Sequence, residues 1–262
     1  MALLALAVYS TEENGKDEYL EKTLESLSDT VDFKKHRLLL SVNAATKTTE
    51  DILSYYSPII EKTIDNKVNV GTAEAINQAW RFRNPGENAV KMDDDVIIHS
   101  NDWLYLMEEA IRRDSTIGQI GLKRRDCMEN PKHENSFYRS DLIMLHHEPG
   151  QKWIVVERCS HIMGTCVMHS SALLDKVGYL WQPGLYGFDD SFMSLRSKLA
   201  GFKNVFLSAV DIEHIDRGDT AFQKWKEQHA SSKWEEYHKV VMEYQSGDRP
   251  LFYDPFKKLA KA

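Results

Sequence analysis

Apolar and polar positions alternate between two patterns along the chain: short apolar runs, and stretches whose apolar residues recur at helical spacing. The runs predict strands and the periodic stretches predict amphipathic helices. The predicted strands cover residues 3–9, 37–42, 68–70, 89–92, 117–122 and 205–209, with a hairpin at 142–145 and 153–156. The predicted helices cover residues 19–28, 49–56, 72–83, 103–113, 171–177 and 190–200. Strands that alternate with helices are typical of an α/β fold with a layered sheet.

The pattern changes near the C-terminus of the chain. Residues 222–244 are mostly polar, with aromatic residues at intervals, and are predicted to be helical. Residues 248–262 contain two prolines and several lysines and are predicted to be extended. We therefore predict one α/β domain over residues 1–215 and a C-terminal helical and extended segment over residues 216–262.

Composition narrows the class of protein. The 262 residues are 42% hydrophobic and 28% charged, and 33 Lys and Arg against 40 Asp and Glu give a net charge of −7. These values predict a globular protein with a substantial core and exclude a disordered chain or a collagen-like repeat. The net acidity also argues against non-specific nucleic-acid binding as the main function.

The sequence contains no apolar run that approaches the ~20 residues needed to span a membrane. The opening apolar run ends at Tyr9 and is followed by acidic residues, so we interpret it as a buried strand instead of a signal peptide. The three cysteines are odd in number and lack metal-ligand spacing, as in proteins of a reducing compartment. We therefore expect a cytoplasmic protein with no stable membrane insertion.

The clearest chemical feature is an acidic triplet, Asp93, Asp94 and Asp95, directly after the predicted strand 89–92. Ligands of open α/β sheets bind at the carboxyl ends of the strands. Alternation along an extended chain places Asp93 and Asp95 on one side and Asp94 on the other. Two carboxylates on one side suit a hard divalent cation such as Mg²⁺ or Mn²⁺. The alternative is a solvated acidic turn or a helix cap.

A second feature is the segment from Asn69 through Gly71 to Asn77, in which Gly71 begins a predicted helix. The N–H groups of a helix N-terminus can bind a phosphate or a sugar hydroxyl. An ordinary capped amphipathic helix would show the same pattern.

Two further candidates lie later in the chain. Asp189 and Asp190 follow Gly187 and begin a predicted helix, where a carboxylate is a candidate general base or a simple helix cap. His214 follows the predicted strand 205–209 and is a candidate metal ligand, a phosphate donor or a surface histidine.

In their order and spacing, these features resemble the nucleotide-sugar glycosyltransferases of family 2, which have the GT-A fold. The resemblance covers roughly residues 3–215 of the chain. The matching motifs are Tyr9-Ser10-Thr11, Asn69-Val70-Gly71 with Asn77, Asp93-Asp94-Asp95, Gly164-Thr165-Cys166-Val167, Gly187-Phe188-Asp189-Asp190 and His214. The resemblance implies a Rossmann-like nucleotide-binding domain, in which a mixed sheet is flanked by helices, followed by a C-terminal helical extension.

The resemblance also implies roles for individual residues. Asp95 and His214 would bind a divalent metal, Mn²⁺ or Mg²⁺, that bridges the phosphates of a nucleoside-diphosphate sugar. Asp189 would be the general base of a single displacement with inversion, or Asp190 in its place, because Phe188 stands where the family motif often has Glu. The remaining donor-binding residues would be Tyr9, Ser10, Thr11, Asn43, Gly71, Asn77, Asp93 and Asp94. Asn43 stands where a carboxylate is common, which leaves the nucleotide base open, with uracil as the first expectation.

Three rival functions are less compatible with the sequence. An Asp-x-Asp phosphotransferase would have its motif on the first strand. A sugar nucleotidyltransferase would need a glycine-rich loop with a basic residue after the first strand. A non-catalytic nucleotide-binding module would have no need to keep Asp93, Asp95, Asp189 and His214 together.

The acceptor is predicted to be a hydroxymethylated base in DNA or, otherwise, a glycan, a polysaccharide or a protein. A compact enzyme of this kind resembles phage-encoded transferases that put a sugar on hydroxymethylated DNA bases. Basic residues in the second half of the sequence could follow a phosphate backbone, or form an ordinary solvated rim. They are Lys123, Arg124, Arg125, Lys132, Arg139, Lys152 and Arg158.

Overall fold

The computed structural model describes residues 1–126, 141–216 and 221–257. Within them, a ten-stranded mixed sheet runs through the centre of the protein. Its strands are β1 (Ala2–Tyr9), β2 (Arg37–Ala44), β3 (Lys62–Asp65), β4 (Asn88–Met92), β5 (Val96–Ile97), β6 (Ile117–Arg124), β7 (Leu142–Met144), β8 (Val155–Cys159), β9 (Cys166–His169) and β10 (Lys203–His214). The helices are α1 (Asp17–Thr30), α2 (Lys47–Tyr55), α3 (Thr72–Trp80), α4 (Trp103–Arg113), α5 (Ser171–Val177), α6 (Asp189–Leu199), α7 (Ala221–Ser232) and α8 (Trp234–Ser246).

The strand order is β3-β2-β1-β4-β9-β6-β10-β8-β7, and β5 pairs with β10. Strands β3, β2, β1 and β4 are mutually parallel, so their carboxyl ends lie at one edge of the sheet. Strand β9 runs antiparallel between β4 and β6. The expected mixed sheet flanked by helices is thereby confirmed.

Strand β1 shows why its sequence is almost continuously apolar. Leu4 and Leu6 belong to a core cluster that includes residues of α1 and α4. Leu3 and Ala5 point to the other face and belong to a cluster with residues of α3 and α5. A strand buried on both faces needs apolar side chains at every position, unlike a strand with one solvated face.

Strand β10 brings a distant part of the chain to the end of β4. Its register against β6 shifts between Leu207 and Asp211. Beyond that irregularity, His214 pairs with Val96 in the short antiparallel ladder with β5. Because Val96 directly follows the acidic triplet, this pairing places His214 beside Asp95.

Most predicted elements are present, with one error. The strand predicted at residues 68–70 is wrong: the strand of this region is β3, at Lys62–Asp65. Strand β3 is mostly exposed and polar, and it exists because it pairs in parallel with β2, which hydrophobic periodicity does not reveal. Strand β10 is longer than predicted, so His214 ends a strand.

The hairpin is confirmed as β7 paired with β8, and the helical segment near the C-terminus is two helices, α7 and α8. Residues 258–262 of the predicted extended tail lie outside the described residues. The domain boundary near residue 215 stays a prediction. No helix in the described ranges has both the length and the apolar character that crossing a bilayer requires.

Candidate active site

Three chemical groups from distant parts of the sequence meet at the carboxyl end of β4. One potential ligand atom each from Asp93, Asp95 and His214 lies within 4.8 Å of the others. Asp95 Oδ1 lies 3.3 Å from His214 Nε2. The strand end supplies the two carboxylates, and the β5–β10 ladder supplies the imidazole.

A buried lysine that the sequence analysis did not identify lies beside this group. The Lys16 ammonium is 2.9 Å from Asp95 Oδ2, 3.3 Å from Asp216 Oδ2 and 3.8 Å from Asp94 Oδ1. Burial disfavours its charge, but the three carboxylates outweigh burial and raise the pKa of the Lys16 ammonium. We call Lys16, Asp93, Asp94, Asp95, His214 and Asp216 together the triplet end of the site.

The residues of the triplet end fit a divalent metal. Asp95 Oδ1 is buried and has no hydrogen-bond partner, while Lys16 holds Asp95 Oδ2. Burial acts to raise the pKa of the Asp95 carboxyl, but Lys16 and His214 lower it overall, which keeps this ligand ionised. Carboxylate oxygens and an imidazole nitrogen are ligands that Mn²⁺ accepts, and Mg²⁺ accepts the carboxylates. Asp95 Oδ1 is buried without a hydrogen bond and lies 3.3 Å from His214 Nε2. A cation bound by both atoms would explain this arrangement.

The acid pair forms a second group of charges, at the N-terminus of α6. Asp189 Oδ2 is 2.9 Å from the ammonium of Lys91, which is itself buried. Asp190 Oδ2 accepts a hydrogen bond from the Gly164 N–H at 3.1 Å and lies 3.6 Å from His161 Nε2. We call Asp189, Asp190, Lys91 and His161 the acid-pair end of the site.

The two carboxylates of the acid pair differ in exposure. The side chain of Asp189 is 8% exposed, and that of Asp190 is 26% exposed. Burial acts to raise the pKa of Asp190, but contacts with His161 and Lys91 lower it to about 2. Asp190 is therefore an ionised carboxylate that solvent, and hence an acceptor hydroxyl, can reach.

The backbone before the acid pair is in an unusual conformation. Phe188 has φ = 70°, in the left-handed region that non-glycine residues rarely adopt, and it follows Gly187 at φ = 93°. Its ring is stacked on Tyr237 at 4.5 Å between centroids and lies 5.7 Å from Trp234. Strained backbone of this kind persists where surrounding packing holds it, often at functional sites.

Both ends open into one cleft of about 770 Å³. Of the residues predicted from the sequence, seven line it: Tyr9, Asp93, Asp94, Asp95, Asp189, Asp190 and His214. Five do not line it: Ser10, Thr11, Asn43, Gly71 and Asn77.

The region around Gly71 and Asn77 makes structural contacts. The N–H groups of Thr72 and Ala73, which the sequence analysis offered to a phosphate, donate instead to Leu185 O and Gln182 Oε1. Asn77 is 1% exposed, and its amide exchanges two 2.9 Å hydrogen bonds with the backbone of Leu180. The helix N-terminus is therefore already capped by the protein, so a donor-binding role for it has no support in this geometry.

The other three residues lie at the sheet edge without reaching the cleft. Ser10 Oγ donates to Asp17 at 3.1 Å, and the Thr11 N–H donates to Asn14 Oδ1 at 3.0 Å. Asn43 Oδ1 accepts a hydrogen bond from Asn66 at 3.0 Å.

Two buried lysines of the site, Lys91 and Lys16, were not identified from the sequence, for different reasons. Lys91 carries a signal, because strand alternation puts it on the same side as Asp93 and Asp95, and a lysine inside an apolar strand needs a buried partner. Lys16 carries none: it lies in a polar turn where a lysine is ordinarily solvated.

Comparisons with known proteins show the family and the fold of the chain. The Glycosyl transferase family 2 profile matches residues 12–176, more than half of the chain. No curated protein matches the chain by sequence.

Solved structures with the GT-A fold are similar in their backbone. The fragment 1–349 of S. aureus TarS has a TM-score of 0.62 and 15% identity, over 84% of this chain and 62% of that one. The mannosyltransferase PcManGT from Pyrobaculum calidifontis, in complex with GDP-Man and Mn²⁺, has a TM-score of 0.60 and 16% identity over 83% and 58%. GalNAc-T7 with UDP, GalNAc and Mn²⁺ has a TM-score of 0.59 and 13% identity over 82% and 44%. The chain thus spans about three-fifths of the length of the first two.

Proposed function

The chain belongs to glycosyl transferase family 2, and we propose that it is a metal-dependent, inverting enzyme that moves a sugar from a nucleoside-diphosphate sugar to an acceptor hydroxyl. One observation carries the proposal: the Asp93, Asp95 and His214 group and the acid pair open into the same cleft. A donor and an acceptor can therefore be bound side by side.

At the triplet end, Asp95 and His214 would hold the metal, with Asp93 within reach of both the metal and the sugar. When bound, the divalent cation would stabilise the negative charge that grows on the departing nucleoside diphosphate. Lys16 would fix the Asp95 carboxylate through Oδ2, so that Oδ1 stays directed towards His214.

At the acid-pair end, a carboxylate would take the proton of the acceptor hydroxyl as its oxygen attacks the anomeric carbon. Asp190 fits this role better than Asp189. Asp190 is the more exposed of the two, whereas Asp189 is buried against the Lys91 ammonium. Asp189 would instead keep Lys91 in place, so we assign the base to Asp190.

The donor we propose is UDP-linked. TarS has been crystallised with UDP-GlcNAc and PcManGT with GDP-Man, so structures with this fold accept both kinds of base. Tyr9, one of the predicted donor-binding residues, lines the cleft, which supports a nucleotide donor there. The transferred group would be a hexose or a pentose.

The acceptor we propose is a hydroxyl of a glycan or of a hydroxymethylated DNA base. Much of the basic surface predicted to follow DNA is neutralised: Arg124 lies 2.6 Å from Asp126, Arg125 2.7 Å from Asp211 and Lys152 2.6 Å from Asp102. Lys123 is paired with Glu157. Lys132 and Arg139 lie outside the described residues. These ion pairs favour a glycan over DNA.

Turnover of nucleotide sugars tests the proposal. We expect hydrolysis or transfer with Mn²⁺ and one class of UDP- or GDP-sugar, loss of activity with EDTA, and loss with Asp95→Asn. Activity that survives both treatments would contradict a role for the triplet end.

An acceptor screen should contain saccharides and hydroxymethylated DNA. If DNA is the acceptor, transfer should fall steeply with salt and with alanine at Arg124 and Arg125, because phosphate contacts release counterions. A flat salt response would leave the glycan.

A further inference from the structure

A lysine of the C-terminal extension lies at the triplet end. Helix α7 turns one face to the cleft, formed by Gln223, Lys226 and Ala230 at helical spacing. The Lys226 side chain is 12% exposed, and its ammonium is 3.6 Å from Asp216 Oδ2. Lys224, on the same helix, is exposed and does not line the cleft.

Asp216 joins this lysine to the rest of the triplet end. Its Oδ2 atom contacts the ammonium groups of both Lys16 and Lys226, at 3.3 and 3.6 Å. Lys226 is also close enough to act electrostatically on Asp93, Asp94 and Asp95. The Lys226 ammonium lies 5.4 Å from the centre of the Tyr186 ring, which lines the same cleft.

The charges of these groups suggest what Lys226 is for. Among the described residues, the triplet end and Lys226 together contain four carboxylates and two lysine ammonium groups. The carboxylates outnumber the ammonium groups even when Lys91, 3.9 Å from Asp93 Oδ1, is counted with them, and a divalent cation would compensate this excess. A diphosphate that binds to this cation would add further negative charge. That negative charge would favour an ammonium group nearby.

The two lysines are placed for different roles. Lys16 is enclosed by three carboxylates within 3.8 Å, and its side chain is as buried as theirs. Lys226 comes from a helix that supplies none of the three potential metal ligands, and its side chain reaches the cleft wall. An ammonium group on a long flexible side chain is a common ligand of phosphate.

We propose that Lys226 binds the diphosphate of the nucleotide donor, so that helix α7 is part of the donor site. This inference rests on the proposed function, because it assumes that a nucleoside diphosphate occupies the cleft. It gives the C-terminal extension a direct part in substrate binding.

Calorimetry with UDP and with GDP in the presence of Mn²⁺ tests the inference. We expect Lys226→Ala to weaken binding of the preferred diphosphate about tenfold to a hundredfold, the usual range for a hydrogen bond to a charged group. Lys226→Arg should restore most of the affinity because it keeps the charge. Lys224→Ala is the matched control and should bind as the unaltered protein does.

Two further measurements separate a lost contact from a disturbed fold. Affinity for the corresponding nucleoside, which lacks phosphate, should be the same in Lys226→Ala as in the unaltered protein. Affinity for Mn²⁺ alone should not fall, because removing an ammonium group cannot weaken attraction to a cation.

The outcomes distinguish this inference from the proposed function. If the unaltered protein binds UDP or GDP with Mn²⁺ and Lys226→Ala binds it equally well, the inference is wrong and the proposed function stands. If the unaltered protein binds neither diphosphate, the proposed function fails and the inference fails with it.

Discussion

The two ends of the cleft each contain a buried lysine among carboxylates, but they use it differently. At the acid-pair end, Lys91 and Asp189 form one close ion pair at 2.9 Å. At the triplet end, Lys16 is shared by three carboxylates. Buried charges are tolerated only where they are compensated. The acid-pair end has one ammonium group for two carboxylates, whereas the triplet end has one for four and needs further positive charge.

The largest expected effect concerns the two carboxylates of the acid pair. We expect Asp190→Asn to lower the rate of transfer by about 10²- to 10⁴-fold, the usual contribution of a general base. Donor binding should change little, because the contacts of Asp190 are with Gly164 and His161, which are not among the potential metal ligands. Single-turnover transfer and calorimetric donor binding measure the two quantities. Transfer at the normal rate would move the base to Asp189 or elsewhere.

The ion pair between Lys91 and Asp189 at the acid-pair end can be broken by removing the charge of one partner. Asp189→Asn leaves the buried Lys91 ammonium without its closest carboxylate, so we expect a loss of about 3–5 kcal/mol in the free energy of unfolding. The double variant with Lys91→Met removes both charges and should regain part of the loss. Because the deficit is an uncompensated positive charge, which a further cation cannot neutralise, Mn²⁺ should not restore it; urea unfolding with and without Mn²⁺ checks this.

The triplet end should respond differently to the matching change. Lys16→Met removes the ammonium that three carboxylates share, and we expect a loss of similar size, about 3–5 kcal/mol, without metal. Here Mn²⁺ should restore a large part, since a dication can replace the missing positive charge. The control is Lys22→Met, which removes an exposed lysine of α1. Equal rescue by Mn²⁺ at the two ends would refute the distinction between them.

The comparison can be extended to a buried histidine, His169, whose protonated form the protein does not stabilise. Burial, together with the charged neighbour Lys91, lowers the pKa of His169 to about 3. The unfolded chain binds this proton below about pH 6.5, while the folded chain does not. Stability should therefore be fully present above pH 6.5 and fall by up to about 1.4 kcal/mol per pH unit below it.

His169→Gln should flatten this part of the stability profile, because glutamine does not titrate. Urea unfolding between pH 4 and 7 measures the slope. An unchanged slope would assign the acid sensitivity to other groups.

Much of the fold could be predicted from the sequence, because periodic and apolar stretches encode the parallel half of the sheet. Strands β1, β2 and β4 are buried on both faces or lead into acidic residues, so their runs are easy to recognise. Strand β3 was not predicted, because its side chains are mostly exposed and only its pairing with β2 defines it as a strand.

The site was predictable where strand ends determine it. The acidic triplet and the acid pair were found because each follows a recognisable boundary of a strand or a helix. The contact of Asp95 with His214 depends on a register shift in β10 and a two-residue ladder, and no local pattern encodes either. The capping of the α3 N-terminus could not be predicted, because the segment that caps it lies more than a hundred residues later.

The left-handed turn at Phe188 has a consequence for anyone who shortens or redesigns this protein. The ring of Phe188 packs against Tyr237 and Trp234 of α8. The next two residues in the chain are the acid pair. Trimming the chain ahead of α8 would remove the aromatic support of that turn and misdirect Asp189 and Asp190. The terminal helices cannot be treated as a detachable appendage.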